Sequence, residues 1–135
     1  MIPKFRVWLT DIDQMLRVKA LVFEKDKTRC VCGYSFDFYL EDENATIMQS
    51  TGLVDKNGKE IFDGDIVRTT RFLGRADEIG GFYEYEKDYV GVVKVLEGSW
   101  VIDTGIVAVR LWSEIDESEV LGNIYENPEF LEDKK

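Results

Sequence analysis

Apolar and polar residues alternate along most of the chain with a period of two, which is typical of half-buried β-strands. Residues 5–9 and 16–22 both alternate in this way, and together they predict an N-terminal hairpin. The longest regular alternation covers residues 30–40 and places Cys30 and Cys32 on one face with aromatic side chains. These segments predict an N-terminal antiparallel sheet over residues 1–46.

Short apolar segments separated by turns fill residues 47–135, which is typical of a small β-barrel. Asn57 and Gly58 lie between two apolar segments, and because both tolerate positive φ they predict a hairpin with a type I′ turn. Asn127 followed by Pro128 is typical of the start of a helix, with Asn127 as its N-cap. We therefore predict a mainly β fold that adds an SH3-like barrel and a short C-terminal helical turn to the N-terminal sheet.

Residues 71–90 interrupt this regularity and predict a long loop or β-arm within the barrel. This stretch combines acidic residues with tyrosines, including Tyr83, Tyr85 and Tyr89. Tyrosine gives an interface a large apolar area with a polar tip, so these three residues are a candidate interaction surface. A β-rich chain with an arm and open strand edges also favours a homo-oligomer.

The charge is strongly negative, with 17 basic and 27 acidic residues and a formal net charge of −10. This balance weighs against a general nucleic-acid or anionic-membrane binder. Residues 114–133 carry eight acidic residues and no basic one, which indicates either a solvated face or a contact surface for a basic partner. The candidate contact residues there are Glu114, Asp116, Glu117 and Glu119.

The chain contains no histidine and no Ser-x-x-Lys or nucleophile-elbow motif, so hydrolase chemistry based on an activated nucleophile lacks its parts. Cys30 and Cys32 supply only half of a zinc site. Asp63 and Asp65 flank Gly64 and leave a carboxylate site for a divalent cation open. We predict no catalytic residue, cofactor or metal, and a small metal-dependent hydrolase stays an alternative.

Three stretches, residues 4–8, 48–67 and 120–131, resemble the YopX family of phage and prophage proteins. The resemblance implies a small phage-encoded protein of Gram-positive hosts, rich in β-structure and without an established biochemical activity. It supplies no catalytic residue. The residues that carry it are explained by turn chemistry, and we predict a structural role for ten of them: Gly52, Asn57, Gly58, Gly64, Asp65, Gly122, Asn123, Tyr125, Asn127 and Pro128.

The first residues lack the apolar stretch of a signal peptide, and no apolar run reaches the roughly 18 residues of a membrane span. We therefore expect a protein of the host cytoplasm, with no membrane partner, that acts without catalysis by binding an unknown host or phage protein. One alternative is an acidic DNA mimic or inhibitor of a host nucleic-acid enzyme. Another is a barrel that itself binds nucleic acid, which the overall charge disfavours.

Overall fold

The computed structural model describes residues 3–33, 36–76, 80–111 and 117–132. The mainly β prediction is confirmed: antiparallel strands dominate, one sheet curls into a half-barrel, and the described residues include a single short α-helix. The chain divides into two compact units, Met1–Gly52 and Leu53–Lys135. The predicted boundary at residue 46 falls inside a strand that runs from the first unit into the second.

The described residues of the N-terminal unit form six strands and two short 3₁₀ turns, at Thr10–Ile12 and Leu40–Asp42. In one sheet, β1 lies between β2 and β6, and a second sheet has the order β3-β4-β5. Its core is built from Val7, Leu9 and Cys30, with partly buried apolar side chains packed around them. The strands are β1 (Phe5–Leu9), β2 (Gln14–Arg17), β3 (Ala20–Phe23), β4 (Thr28–Val31), β5 (Asp37–Tyr39) and β6 (Ala45–Val54).

The predicted single strand over residues 16–22 is wrong. The chain forms β2, changes direction, and then forms β3 in the other sheet. The Val18 amide donates to Phe5 on one side of the change, and the Lys19 amide donates to Val31 on the other. The alternation also shifts there, because Leu21 packs on the core while Ala20 is exposed. The apolar residues of the sequence still alternate across this point, so the sequence pattern does not reveal that the two short strands belong to different sheets.

The continuous alternation over residues 30–40 is likewise two strands, β4 and β5, which pair antiparallel. Cys30, Cys32, Phe38 and Leu40 all belong to the same core cluster, as the shared-face prediction requires. These four residues come from the two sides of the β4–β5 hairpin and not from one strand. Tyr34 lies outside the described residues.

The C-terminal unit contains a five-stranded sheet in the order β11-β10-β9-β8-β12. Its core is the cluster of Ile61, Val67, Val93, Ile102 and Leu111. The end of β6 pairs with β7 through a hairpin at residues 55–59. The elements are β7 (Glu60–Phe62), β8 (Asp65–Ala76), β9 (Phe82–Leu96), β10 (Ser99–Asp103), β11 (Ala108–Arg110), β12 (Glu117–Asn123) and the helix α1 (Glu129–Glu132).

The predicted loop or arm at residues 71–90 is the outer part of the long hairpin that β8 and β9 form. These strands pair from Ile66 with Val92 to Ala76 with Phe82. β10 pairs with β9 only over Val92–Leu96, so β9 extends well beyond its second neighbour. We refer to this projecting part of the hairpin, residues 70–76 and 82–88, as the arm.

Candidate functional site

The family-type motifs of the C-terminal unit build turns, and buried polar side chains hold those turns by binding backbone amides. Asp65 is only 1% exposed, and its Oδ2 accepts a hydrogen bond of 2.8 Å from the Phe62 amide. The Gly64 amide donates to the Val93 carbonyl, and the Gly64 carbonyl accepts from Ile124. The tight turn before β8 is therefore tied both to β9 and to the segment after β12.

The hairpin at residues 55–59 depends on Asp55, a buried carboxylate that sequence analysis did not single out. Its Oδ1 accepts from the Asn57 and Lys59 amides, and its Oδ2 accepts from Val120 of β12, each at 2.9 Å. Burial works against the charged form of Asp55, but the amide hydrogen bonds outweigh it and lower the pKa of this carboxyl.

The predicted type I′ turn at this hairpin is wrong. Such a turn needs positive φ at both central residues, but of Asn57 and Gly58 only Gly58, at 81°, has it. The loop contains three residues, closed by the Asp55 amide, which donates to Lys59, and by the Gly58 amide, which donates to Asp55. The carboxylate of Asp55 holds the Asn57 amide and makes the longer loop stable.

The second motif forms a compact turn after β12 around the buried Asn123. Its Oδ1 accepts from the Tyr125 and Glu126 amides, and its Nδ2 donates to the Glu126 carboxylate. The Oδ1 of Asn127 accepts from the Asn123 amide, so this side chain points back into the turn, unlike the predicted N-cap. Of the remaining motif residues, Gly64 has positive φ in the turn before β8, and Pro128 lies directly before α1. Gly52 and Gly122 lie within strands and not at turns: Gly52 has positive φ inside β6, and Gly122 packs against Asn127 where the register of β12 shifts.

These motif residues do not converge on a ligand site. Side-chain oxygens of Asp65, Asp55 and Asn123 accept hydrogen bonds from backbone amides of their own turns, and Asp55 also accepts from the Val120 amide of β12. Among the described residues, no group of three or more Cys, Asp or Glu side chains could hold a metal ion. Cys30 and Cys32 are free thiols 3.8 Å apart, and burial raises the pKa of Cys30 to about 12.

The predicted acidic surface is only partly described. Glu114 and Asp116 lie outside the described residues. Glu117 is exposed at the start of β12, whereas Glu119 is partly buried and forms an ion pair with Arg68 on the adjacent strand β8. Ser118 between them is buried and hydrogen-bonds Thr69. Glu117, Ser118 and Glu119 are therefore consecutive residues of a strand that pairs with β8.

The predicted aromatic surface lies on β9. Tyr85 is 41% exposed, and Tyr89 is partly buried between two cations. Arg71 Cζ lies 5.9 Å and Lys87 Nζ 5.3 Å from the centre of the Tyr89 ring. Arg71 and Lys87 face each other across the hairpin, a like-charge pair that the ring helps to stabilise. The side chain of Tyr83 lies outside the described residues.

An open groove of about 920 Å³ runs beside this aromatic cluster in the C-terminal unit. Its walls are mostly apolar and include Val90, Val92, Ile124 and Leu131. Ile106 and Val107, in the turn between β10 and β11, form one margin, and Ile106 is 94% exposed. Sequence analysis did not single out these two residues. The sequence signal that could have identified Ile106 and Val107 is an apolar pair that directly follows a polar turn.

The charges of the groove lie at its margins. Lys94 forms an ion pair with Asp103, and Asp88 accepts a 2.7 Å hydrogen bond from Thr70. Lys87 contacts the Tyr89 ring, and no carboxylate among the described residues pairs with it. The groove therefore offers mostly apolar walls, a neutralised ion pair, the Asp88 carboxylate and one cation, Lys87, that is available to a ligand.

This geometry defines a two-unit, mainly β protein whose motif residues stabilise turns and whose open groove is lined by apolar side chains. The model of the YopX protein family matches residues 4–132, and the chain belongs to this family. It is similar in fold to the crystal structure of protein EF1440 from Enterococcus faecalis, with a TM-score of 0.60. The two are 24% identical over 97% of this chain and 99% of that chain.

No curated protein matches the chain in sequence. The helices of the described residues include none long and apolar enough to cross a membrane.

Proposed function

We propose that this protein acts by binding another protein, without catalysis, and that the groove together with the aromatic side of the arm is its contact surface. The observation that carries the proposal is the exposure of Ile106 at the margin of an apolar groove. An isolated exposed apolar residue needs no explanation, but a contiguous apolar surface of this kind is typical of an interaction site. Tyr85 and Tyr89 extend the same surface with residues that favour interfaces.

The proposal is supported by the way the polar residues are used. The buried carboxylates of Asp55 and Asp65 accept hydrogen bonds from backbone amides, so both carboxylates stabilise turns. From the family, we also infer that the protein is encoded by a phage or prophage and works in the cytoplasm of the bacterial host.

The test is capture of partners from host lysate by the immobilised chain and three variants. We expect Ile106→Ser to lose the specifically bound proteins, while Val54→Ser, which changes another exposed apolar residue that does not line the groove, retains them. Glu117→Gln should also retain them. Loss with Glu117→Gln alone would assign binding to the acidic surface, and metal-dependent turnover by the purified chain would overturn the non-enzymatic proposal.

Nucleic-acid binding is a second candidate, favoured by the cluster of Arg71, Lys87 and Tyr89 on the β8–β9 hairpin. Proteins that bind single-stranded nucleic acid contact the phosphates with cationic side chains and stack the bases on aromatic rings. A gel shift at two salt concentrations separates this candidate from protein binding. Binding that weakens steeply with salt and is lost in Lys87→Gln would favour nucleic acid.

We also propose that the chain self-associates, through an edge strand of the N-terminal unit. β3 is an edge strand in its sheet, and Phe23 on it is strongly exposed. Light scattering should give a mass above that of one chain for the wild type and the mass of one chain for Phe23→Ser. A wild-type mass of one chain at high concentration would contradict this.

A further inference from the structure

The groove runs along an unpaired strand edge. Over Phe82–Val92, β8 covers one side of β9, but β10 reaches the other side only from Val92 onward. The residues of β10 turn away at Asp103, where Thr104 begins a tight turn. Among the described residues, no strand lies beside β9 over residues 86–90 on the side away from β8.

The direction of the backbone groups follows from the alternation of an antiparallel ladder. The Val93 carbonyl points to the β8 side, where it accepts a hydrogen bond from the Gly64 amide. Tyr89 and Lys87, at even spacing from Val93, therefore direct their backbone groups to β8. Val90, Asp88 and Glu86 direct their N–H and C=O groups to the open side, which places hydrogen-bonding groups along the wall of an apolar groove.

On this basis, we propose that the groove binds an extended segment of a partner protein, which adds a strand to the outer edge of β9 and places apolar side chains against Val90, Ile106 and Leu131. Main-chain hydrogen bonds along an open edge supply affinity, and pockets for alternate side chains supply specificity. This inference rests on the proposed function and names the chemistry of its partner.

Charge identifies one further feature of the segment. The chain carries a net charge of −10, yet the groove margin presents Lys87 without a carboxylate partner among the described residues. Asp88 projects from the opposite face of the strand, so the sheet separates it from an acid placed beside Lys87. The segment therefore alternates apolar residues and carries an acidic side chain next to Lys87.

The probe is a random library of eight-residue peptides, selected on the full wild-type chain. We expect enrichment of alternating apolar residues with one Asp or Glu, and the enriched peptide should bind Lys87→Glu at least about tenfold more weakly, a loss of roughly 1.4 kcal/mol. N-methylation of the peptide at alternate residues should abolish binding at one set of positions and leave the other set unaffected. This last measurement leaves the protein unchanged and does not depend on the folding of a variant.

Asp88→Pro tests the edge on the protein side, with Asp88→Ala as its matched control. Both variants lose the hydrogen bond from Thr70, but only proline removes the outward amide, and an edge position tolerates proline because its N–H does not serve the ladder. We expect both variants to keep the wild-type circular dichroism and only Asp88→Pro to lose peptide binding.

Several results would overturn the inference: no enriched peptide, equal effects of N-methylation at every position, or equal binding by the two Asp88 variants. A wild-type dimer that Ile106→Glu dissociates would overturn it in favour of a second copy in the groove. If peptides fail but Ile106→Ser still loses partners from lysate, the proposed function stands and the extended-segment inference falls. If both fail, the groove is not the contact surface.

Discussion

The turns that carry the family resemblance and the groove beside β9 use their side chains in opposite ways. At the turns, Asp55, Asp65 and Asn123 are buried, and their oxygens accept hydrogen bonds from backbone amides. At the groove, Ile106 and Val107 are exposed and apolar. Folding explains the first set, whereas exposed apolar side chains gain nothing from remaining in water. The recognisable residues thus fix the scaffold, and the surface that lacks a folding role is the one assigned to binding.

The largest stability effect is expected at Asp65. Asp65→Ala leaves the buried Phe62 amide without an acceptor and should lower the free energy of unfolding by about 3 kcal/mol, the upper range for an unsatisfied buried group. Asp65→Asn keeps one acceptor oxygen and should lose less. Urea unfolding of both variants gives the comparison, and equal stability of the wild type and Asp65→Ala would show that this turn is not part of the scaffold.

A somewhat smaller loss is expected at Gly91, where the end of β10 approaches β9 closely. A β-carbon at Gly91 would lie 2.6 Å from the Asp103 carbonyl carbon and 2.9 Å from the Thr104 nitrogen. Gly91→Ala should therefore cost about 2 kcal/mol through backbone displacement. Gly33→Ala is the control, because nothing lies within 4 Å of its added methyl group. Equal melting temperatures for the two variants would show that the strands separate here without cost.

The pH dependence of stability should reveal Asp55. Because folding lowers the pKa of this carboxyl, the folded state favours its charged form, and that contribution is complete above the unfolded value of about 3.9. It is lost as the pH falls through the folded pKa. Asp55→Asn should therefore be less stable than the wild type by about 1–2 kcal/mol at pH 7, with the difference shrinking toward pH 3. A difference that grows on acidification would contradict the assignment.

A small effect is expected for the thiols of the N-terminal unit. Cys30→Ala removes a fully buried atom from the core and should cost about 1 kcal/mol, near the value of one buried methylene. Cys32→Ala, at a partly exposed position, should cost less. Partner binding should be unchanged in both variants. Zinc retained by the purified wild type at one equivalent per pair of chains would instead indicate a shared metal site.

The sequence predicted the class of fold because period-two alternation and turn residues are local signals. It predicted the turn before β8 correctly, since Gly64 and Asp65 act within a few residues of each other. It misplaced residues 16–22, because alternation does not record which sheet a strand joins. It overlooked Asp55, whose bond to Val120 joins positions far apart in the chain. The groove could not be predicted from the sequence either, because Ile106 and Leu131 line it together only in the folded structure.

If the turns hold the fold while the groove binds the partner, substitutions at the two places should affect stability and affinity separately. The affinity of one partner and the melting temperature are measured for Ile106→Ser and Asp65→Asn, at a temperature where both variants are folded. We expect Ile106→Ser to bind the partner at least about tenfold more weakly at an unchanged melting temperature. Asp65→Asn should melt earlier but bind as the wild type does. Full affinity in Ile106→Ser, together with lost affinity in folded Asp65→Asn, would show that the partner binds at the turn before β8 and not at the groove.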